Sequence, residues 1–210
     1  MKYKVLDILA KGLSALCYPL WIPTFGMVLF CAAFVGRKAI VPTVFWWVAC
    51  GGTFVFTALI PLSLILLMIR KGQIKDIYIT SSQERVVPYI YTIAGFGFWS
   101  YFVAAVLNAP AFLLWTALGA TLALVVVTII NHWWKISAHL CAMGGLLGGI
   151  CSYALCYGIL PFGTVCAVLG VSLLLMYARL YVGAHTPLQV VVGYLVGLLC
   201  TFIPNYIIYV

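Results

Sequence analysis

AFLLWTALGATLALVVVTIIN, residues 111 to 131, is the stretch that decides the fold of this chain. It contains no charged side chain, and a helix needs about 20 apolar residues to cross the roughly 30 Å hydrocarbon layer of a bilayer. The whole chain has the same character, since 66% of its 210 residues are hydrophobic and only 7% are charged, unlike a soluble domain. We therefore predict an all-α, polytopic membrane protein.

Six further apolar runs come close to this length. The predicted spans cover residues 14–35, 43–69, 88–107, 111–131, 140–158, 162–182 and 188–208. The first span contains Pro19 and Pro23, and proline would kink a helix there or let it enter the bilayer only part-way. The sequence thus predicts one integral membrane domain over residues 1–210, a bundle of six to seven transmembrane helices.

Other features narrow the class of protein. The eight cysteines all lie in apolar runs without a Cys-x-x-Cys pair, which favours small core residues over disulfides or structural zinc. The N-terminal MKYKVLDILAK is too polar for a signal-peptide core, so we expect the first span to stay attached. The net charge of +8 suits anionic headgroups or topology signals, and without a basic helix or soluble basic domain we expect no nucleic-acid partner.

Polar residues concentrate at three junctions, residues 70–88, 131–139 and 179–189, which follow the second, fourth and sixth predicted spans. Junctions separated by one helical hairpin emerge on the same side, so we predict that the three share one face. Nine of the eleven lysines and arginines then lie on that face, against Arg37 and Lys38 opposite. By the positive-inside rule the shared face is cytoplasmic. Without the four cations assigned to chemistry below, the ratio is five to two in the same direction.

All three histidines, His132, His139 and His185, fall on the shared face. Ionisable side chains at membrane depth are costly and mark functional sites by default. Arginine and lysine around two imidazoles suit a phosphate, because guanidinium groups offer paired donors and an ammonium group a compact charge. One imidazole can attack phosphorus while the other protonates the departing oxygen. The candidate cations at these junctions are Arg85, Lys135 and Arg179.

Metal-assisted hydrolysis is disfavoured by the small number of carboxylates. They are Asp7, Asp76 and Glu84, and none is near His139 or His185 in sequence, whereas hydrolytic metal sites are built from such neighbouring ligands. We therefore expect neither a metal nor another cofactor.

Two short motifs resemble those of the type 2 phosphatidic acid phosphatase superfamily of membrane lipid phosphatases. Arg179, five residues and then His185 match its third motif, which reads Ser-Arg, five residues, His, three residues, Asp. The ISAH sequence at 136–139 is similar to its second motif, Pro-Ser-Gly-His, and the order of the two is the same. The first motif, Lys, six residues, Arg-Pro, is represented by Lys75, Arg85 and Pro88.

The resemblance implies that His185 is the nucleophile that forms a phosphohistidine and that His139 protonates the leaving group. It also implies a phosphate clamp and cradle made of Arg179, Arg85, Lys75 and the region of Ser137. Lys135 is a rival for the lysine role, because Lys75 stands ten residues before Arg85 rather than seven. The phosphatase-like core would cover about residues 70–200.

Gln189 stands where the family has an aspartate that orients the nucleophile and stabilises its charge. A glutamine carbonyl can accept the Nδ1 proton of His185, but it carries no negative charge. The sequence therefore predicts a metal-independent lipid phosphate or diphosphate phosphatase of phospholipid metabolism, with two alternatives: a lipid phosphotransferase with the same intermediate, and a catalytically silent binder or transporter of anionic lipid. We expect a multi-pass protein of a bacterial-type inner membrane, with membrane lipids as partners and a composition compatible with a homo-oligomer.

Overall fold

The computed structural model describes residues 2–36, 42–77, 79 and 83–209, and the regular elements among these residues are helical. Two short helices come first, α1 (Lys2–Leu16) and α2 (Ile22–Gly36). Next, α3 (Thr43–Phe54) continues through a π-helical turn (Val55–Leu59) into α4 (Ile60–Arg70). A 3-10 turn (Gln83–Arg85) leads into the remaining helices, which are α5 (Val86–Ala105), α6 (Ala111–Trp133), α7 (Ala138–Tyr157), α8 (Phe162–Tyr181) and α9 (Pro187–Tyr209).

Six helical stretches within the described part of the chain are long and apolar enough to cross a membrane. They are the continuous stretch Thr43–Arg70 and the five helices α5 to α9. The prediction of an all-α, polytopic membrane bundle is therefore confirmed, and each of these six stretches overlaps one of the last six predicted spans.

The first predicted span, residues 14–35, is not a single helix. α1 ends and α2 begins on either side of Pro19, which has no backbone N–H with which to continue a helix. α2 has 15 residues, roughly 22 Å at 1.5 Å per residue, and is short for a full crossing. α2 still runs along the bundle, because Phe30 packs against Phe112 at the start of α6 and against Tyr153 near the end of α7.

The bundle is tightest between α7 and α9. A Cβ atom at Gly197 would collide with the carbonyl oxygen of Cys141, so the two backbones are in direct contact, as predicted for the small residues at 144–149 and 193–197. At the ends of these helices the backbone N–H of Ser137 donates to the carbonyl oxygen of Gln189 at 3.3 Å. The N-termini of α7 and α9 are thereby held side by side.

The three polar junctions meet at this same end of the bundle. Nδ1 of His185, in the junction before α9, lies 3.3 Å from the carbonyl oxygen of Lys135, in the junction before α7. Lys135 also interacts electrostatically with Arg85, in the junction before α5. The predicted sharing of one face is therefore seen in the structure, while Arg37 and Lys38, predicted for the opposite face, lie outside the described residues.

Candidate active site

A cavity of about 210 Å³ opens where the three junctions meet. Four of the predicted site residues line its mouth: Arg85, His139, Arg179 and His185. From His139 the cavity follows α7 as far as Gly149, roughly 15 Å into the bundle at 1.5 Å per residue. Below the mouth the lining is mostly apolar. The cavity therefore has a cationic rim and a hydrophobic interior.

Two arginines, Arg85 and Arg179, line the mouth, and Lys135 lies near both. Arg85 is buried, with 7% of its surface exposed, and its Nε donates to the carbonyl oxygen of Ile79 at 2.7 Å. The pKa of Lys135 is lowered, first because burial disfavours its charge and then because Arg85 and Arg179 repel it. Lys135 is therefore close enough to Arg85 and to Arg179 to be repelled by both, and a bound anion would relieve that repulsion.

The backbone at Ile79 is strained, and this strain directs Arg85. Ile79 has a φ of +40°, in the left-handed region that β-branched residues rarely adopt. Its N–H donates to Oδ1 of Asp76 at 3.1 Å, and its carbonyl oxygen accepts from Arg85. Such backbone strain costs about 1–3 kcal/mol and persists only where the surroundings over-determine it. The turn thus holds the guanidinium group of Arg85 at the mouth.

The imidazole of His185 is held in one tautomer. Its Nδ1 lies 3.2 Å from Oε1 of Gln189 and 3.3 Å from the carbonyl oxygen of Lys135. The backbone N–H of Thr186 also points at that Gln189 atom, at 3.1 Å, and because an N–H can only donate, the atom must be the amide oxygen. Both neighbours of Nδ1 are therefore acceptors. Nδ1 carries the proton of the neutral ring, and Nε2 keeps a free lone pair.

Gln189 also starts helix α9. The Thr186 hydroxyl accepts the backbone N–H of Gln189 at 3.5 Å, while Oε1 of Gln189 accepts the backbone N–H of Thr186. This reciprocal pair is a capping box, Thr-x-x-Gln. One oxygen thus serves both the helix cap and His185, and the cap prevents the amide from flipping.

Burial is the main reason why the pKa of His185 is lowered from 6.5 to about 4, with the positive charge of Arg179 adding to the effect and the hydrogen bond that Nδ1 donates to Gln189 opposing it. The ring is therefore neutral at pH 7. Since the folded-state pKa lies below the unfolded value, the unfolded chain binds this proton more tightly. His185 therefore weakens folding as the pH falls from about 6.5 towards 4.

We expect the ring resonances of His185 to titrate with a midpoint near pH 4 in an NMR measurement on the ligand-free protein. Addition of vanadate, a phosphate analogue, should move the midpoint upwards, because a bound anion stabilises the imidazolium form. A midpoint near 6.5 without ligand, or one that vanadate leaves in place, would contradict the buried, cation-flanked position of the ring.

His139 lies in the first turn of α7 and is 8% exposed. Its Nε2 is 3.1 Å from the carbonyl oxygen of Ser14, and its ring meets Tyr18 edge-on, with 5.8 Å between centroids and an angle of 87°. It interacts electrostatically with Arg179 and His185. The structure therefore brings the two predicted catalytic imidazoles to one mouth with Arg85 and Arg179.

Three predicted phosphate ligands, Lys75, Lys135 and Ser137, do not line the cavity. Lys75 is exposed, whereas Lys135 is half-buried and lies near Arg85 and Arg179. Ser137 is fully buried, and its hydroxyl oxygen accepts the backbone N–H of Leu140 at 3.5 Å as the N-cap of α7. The serine thus sets the start of the helix that carries His139. The third histidine, His132, is exposed.

Sequence patterns do not indicate Ser14, Tyr18 or Ile79 as site residues. Ser14 and Ile79 act through backbone carbonyl groups, which any residue type would supply, and Tyr18 is one of 13 tyrosines. Over the described ranges, no three histidine, cysteine, aspartate or glutamate side chains come together as a metal-ligand set.

Comparison with protein-family models, curated proteins and solved structures finds no match for this chain. The likeness to type 2 phosphatidic acid phosphatases therefore rests on the motif residues alone.

Proposed function

We propose that this chain is a membrane-embedded, metal-independent phosphatase of lipid phosphates or diphosphates, distantly related to the type 2 phosphatidic acid phosphatases. The observation that carries the proposal is the convergence of His139, His185, Arg85 and Arg179 at the mouth of a mostly apolar cavity. A lipid phosphate has the same division into an anionic head and a hydrocarbon tail. Ionisable groups at this depth are too costly to be kept for packing alone.

In the first step Nε2 of His185 attacks phosphorus with its lone pair. The bond from phosphorus to the leaving oxygen breaks, and its electron pair stays on that oxygen. The oxygen takes a proton from the imidazolium form of His139, which becomes neutral. Arg85, Arg179 and Lys135 bind the non-bridging oxygens, where charge is spread in the transition state. The products are an alcohol or a lipid monophosphate and a phosphohistidine.

In the second step water attacks the phosphohistidine. Neutral His139 takes a proton from the water as its oxygen bonds to phosphorus, the P–N bond breaks, and the electron pair returns to Nε2 of His185. Inorganic phosphate leaves and both rings regain their starting states. The N-termini of α7 and α9 lie at this end of the bundle, and their dipoles add to the stabilisation of the anion.

The cavity supports a lipid as the substrate rather than a soluble phosphate ester. An apolar cavity of 150 Å³ holds benzene, so 210 Å³ gives room for a segment of a lipid chain below the mouth. The remainder of the chain would extend between helices into the bilayer. By the excess of lysine and arginine on the site face, the site opens to the cytoplasm of a bacterial-type inner membrane.

The neutral Oε1 of Gln189 favours one second candidate, a silent binder of anionic lipid. His185 has no carboxylate among the partners described above, so the charge that develops on the ring is stabilised less than in the family pattern. Such a protein would bind lipid phosphates through the same cations without breaking the P–O bond.

Phosphate release separates these functions. Purified protein in lipid nanodiscs would be incubated with phosphatidate, phosphatidylglycerophosphate and a polyprenyl diphosphate, with and without vanadate. We expect inorganic phosphate from at least one lipid and its suppression by vanadate. Label transferred to an added alcohol in place of free phosphate would indicate a phosphotransferase. Binding of the lipids without release would identify the silent binder and refute the phosphatase.

A further inference from the structure

Helix α1 is amphipathic and leaves its apolar side uncovered. Val5, Ile8, Leu9 and Leu16 are 54%, 68%, 61% and 66% exposed, and their spacing of three, one and seven residues places them on one helical stripe. A neighbouring flank carries an ion pair, in which Nζ of Lys11 lies 2.8 Å from Oδ2 of Asp7 (residues i and i+4). With 15 residues, roughly 22 Å, α1 is too short and too polar to cross the bilayer.

The position of α1 in the fold identifies what covers this stripe. α1 packs against α8, and near its C-terminal end the carbonyl oxygen of Ser14 meets His139 in the first turn of α7. The C-terminal end of α1 is therefore at the level where the membrane-crossing helices begin and end. A helix with an apolar face, a charged flank and this position matches those that lie in the lipid–water interface.

Tyr18 joins this helix to both halves of the site. Its ring packs edge-on against His139, and its hydroxyl donates to the carbonyl oxygen of Ile77 at 2.9 Å. Ile77 belongs to the segment whose strained turn at Ile79 holds Arg85. A displacement of α1 would therefore be felt first at His139, which contacts both the Ser14 carbonyl and the Tyr18 ring, whereas Arg85 is held by the Ile79 carbonyl.

We propose that α1 lies in the lipid–water interface on the site face and that, through the Ser14 carbonyl and Tyr18, it positions His139 to deliver its proton from Nδ1. This inference rests on the proposed phosphatase function.

The proton positions on His139 follow from its contact with Ser14. The Ser14 carbonyl can only accept, so Nε2 of His139 keeps its proton throughout. In the imidazolium form the second proton is on Nδ1. As the P–O bond breaks, the leaving oxygen takes that proton, and the N–H electron pair stays on the ring.

Leaving-group dependence tests the positioning of His139. Phosphatidate has a poor leaving group that needs an acid, whereas 4-nitrophenyl phosphate has a good one that does not. We expect Tyr18→Leu to slow phosphatidate hydrolysis about tenfold or more, which is a part of the roughly 10²–10⁴-fold effect of a general acid, and to leave 4-nitrophenyl phosphate hydrolysis within about twofold. Tyr18→Phe, which keeps the ring, should show a smaller loss. Equal losses on both substrates, or none, would overturn the positioning role.

The lipid contact is tested by the double variant Ile8→Ser and Leu9→Ser, with Val44→Ser as the matched control. Val44 is equally exposed, at 69%, but it lies at the start of α3, at the other end of the bundle. We expect the double variant to reproduce the selective loss on phosphatidate and the control to match the parent protein. A control that loses as much activity, or a double variant that loses none, would contradict the proposal.

A measurement without turnover separates this proposal from the proposed function. A fluorescent amino acid at position 9 should be quenched most by lipids brominated near the headgroups, and one at position 11, on the charged flank, only weakly. The ¹⁵N shifts of His139 should show Nε2 protonated in the parent protein and lose that preference in Tyr18→Leu. If the parent protein gives these two results but releases no phosphate, the proposed phosphatase function is refuted and the position of α1 is not. Quenching strongest from the bilayer centre, or an Nδ1-protonated neutral ring, would refute the role of α1.

Discussion

His185→Ala is expected to abolish phosphate release from lipid phosphates, with a loss of roughly 10³-fold or more, as is usual when a covalent nucleophile is removed. The ring is the group at the mouth whose Nε2 is left with a free lone pair, because Gln189 and the Lys135 carbonyl both accept from Nδ1. Turnover would be measured as inorganic phosphate released from phosphatidate in nanodiscs, together with lipid binding by the same variant.

The chain offers a matched control in His132→Ala. His132 lies on the same face but is exposed, with its ring against Trp133, and it does not line the cavity. This variant should keep turnover within about twofold, as surface substitutions usually do. Full activity in His185→Ala would remove the phosphohistidine mechanism. Equal losses in both variants would show that the effect is not specific to the mouth.

Substitutions of Gln189 are expected to raise turnover when they add a negative charge and to lower it when they remove the acceptor. Gln189→Glu keeps the capping box, since glutamate suits that position, and adds a negative charge beside the imidazole. A unit charge at 4 Å is worth about 4 kcal/mol at an effective dielectric of 20, and a part of that in the transition state would raise turnover about 10- to 100-fold. Gln189→Ala removes the acceptor that fixes the tautomer, and a loss of about 100-fold is expected.

Thr186→Ala separates the cap from the chemistry. It removes the hydroxyl that caps α9 but leaves the backbone N–H that orients Oε1 of Gln189. It should lower the free energy of unfolding by about 1 kcal/mol while keeping turnover within about twofold. A Gln189→Glu variant slower than the parent protein, or a Thr186→Ala variant as slow as Gln189→Ala, would show that Gln189 acts through the helix cap alone.

The membrane-crossing helices could be predicted because the signal for them is local. A run such as 111–131 has no charged residue, and it must satisfy its own backbone hydrogen bonds in lipid, which only a helix does for a single segment. The break of the first predicted span also has a local cause at Pro19. The positions of His139 and His185 at one face followed from the same counting of helices.

Motif spacing was a poorer guide where the chain between elements is irregular. It offered Lys75 and its rival Lys135 for one role, and the structure exposes Lys75 while it brings Lys135 near Arg85 and Arg179. It gave Ser137 a place in the phosphate cradle, although its side chain caps α7. A motif records which residues are near in sequence, and a loop decides which of them reach the site.

Composition and order along the chain alone were enough to establish an all-α membrane bundle. They also single out the histidines and arginines, because ionisable side chains are costly in free energy at membrane depth. Only the folded arrangement decided how those groups are held. The Gln189 oxygen is fixed by a helix cap, and His139 is held by a carbonyl group 125 residues away in sequence. Hydrophobicity is a property of each segment, whereas orientation depends on contacts between segments, which exist only once the helices have packed.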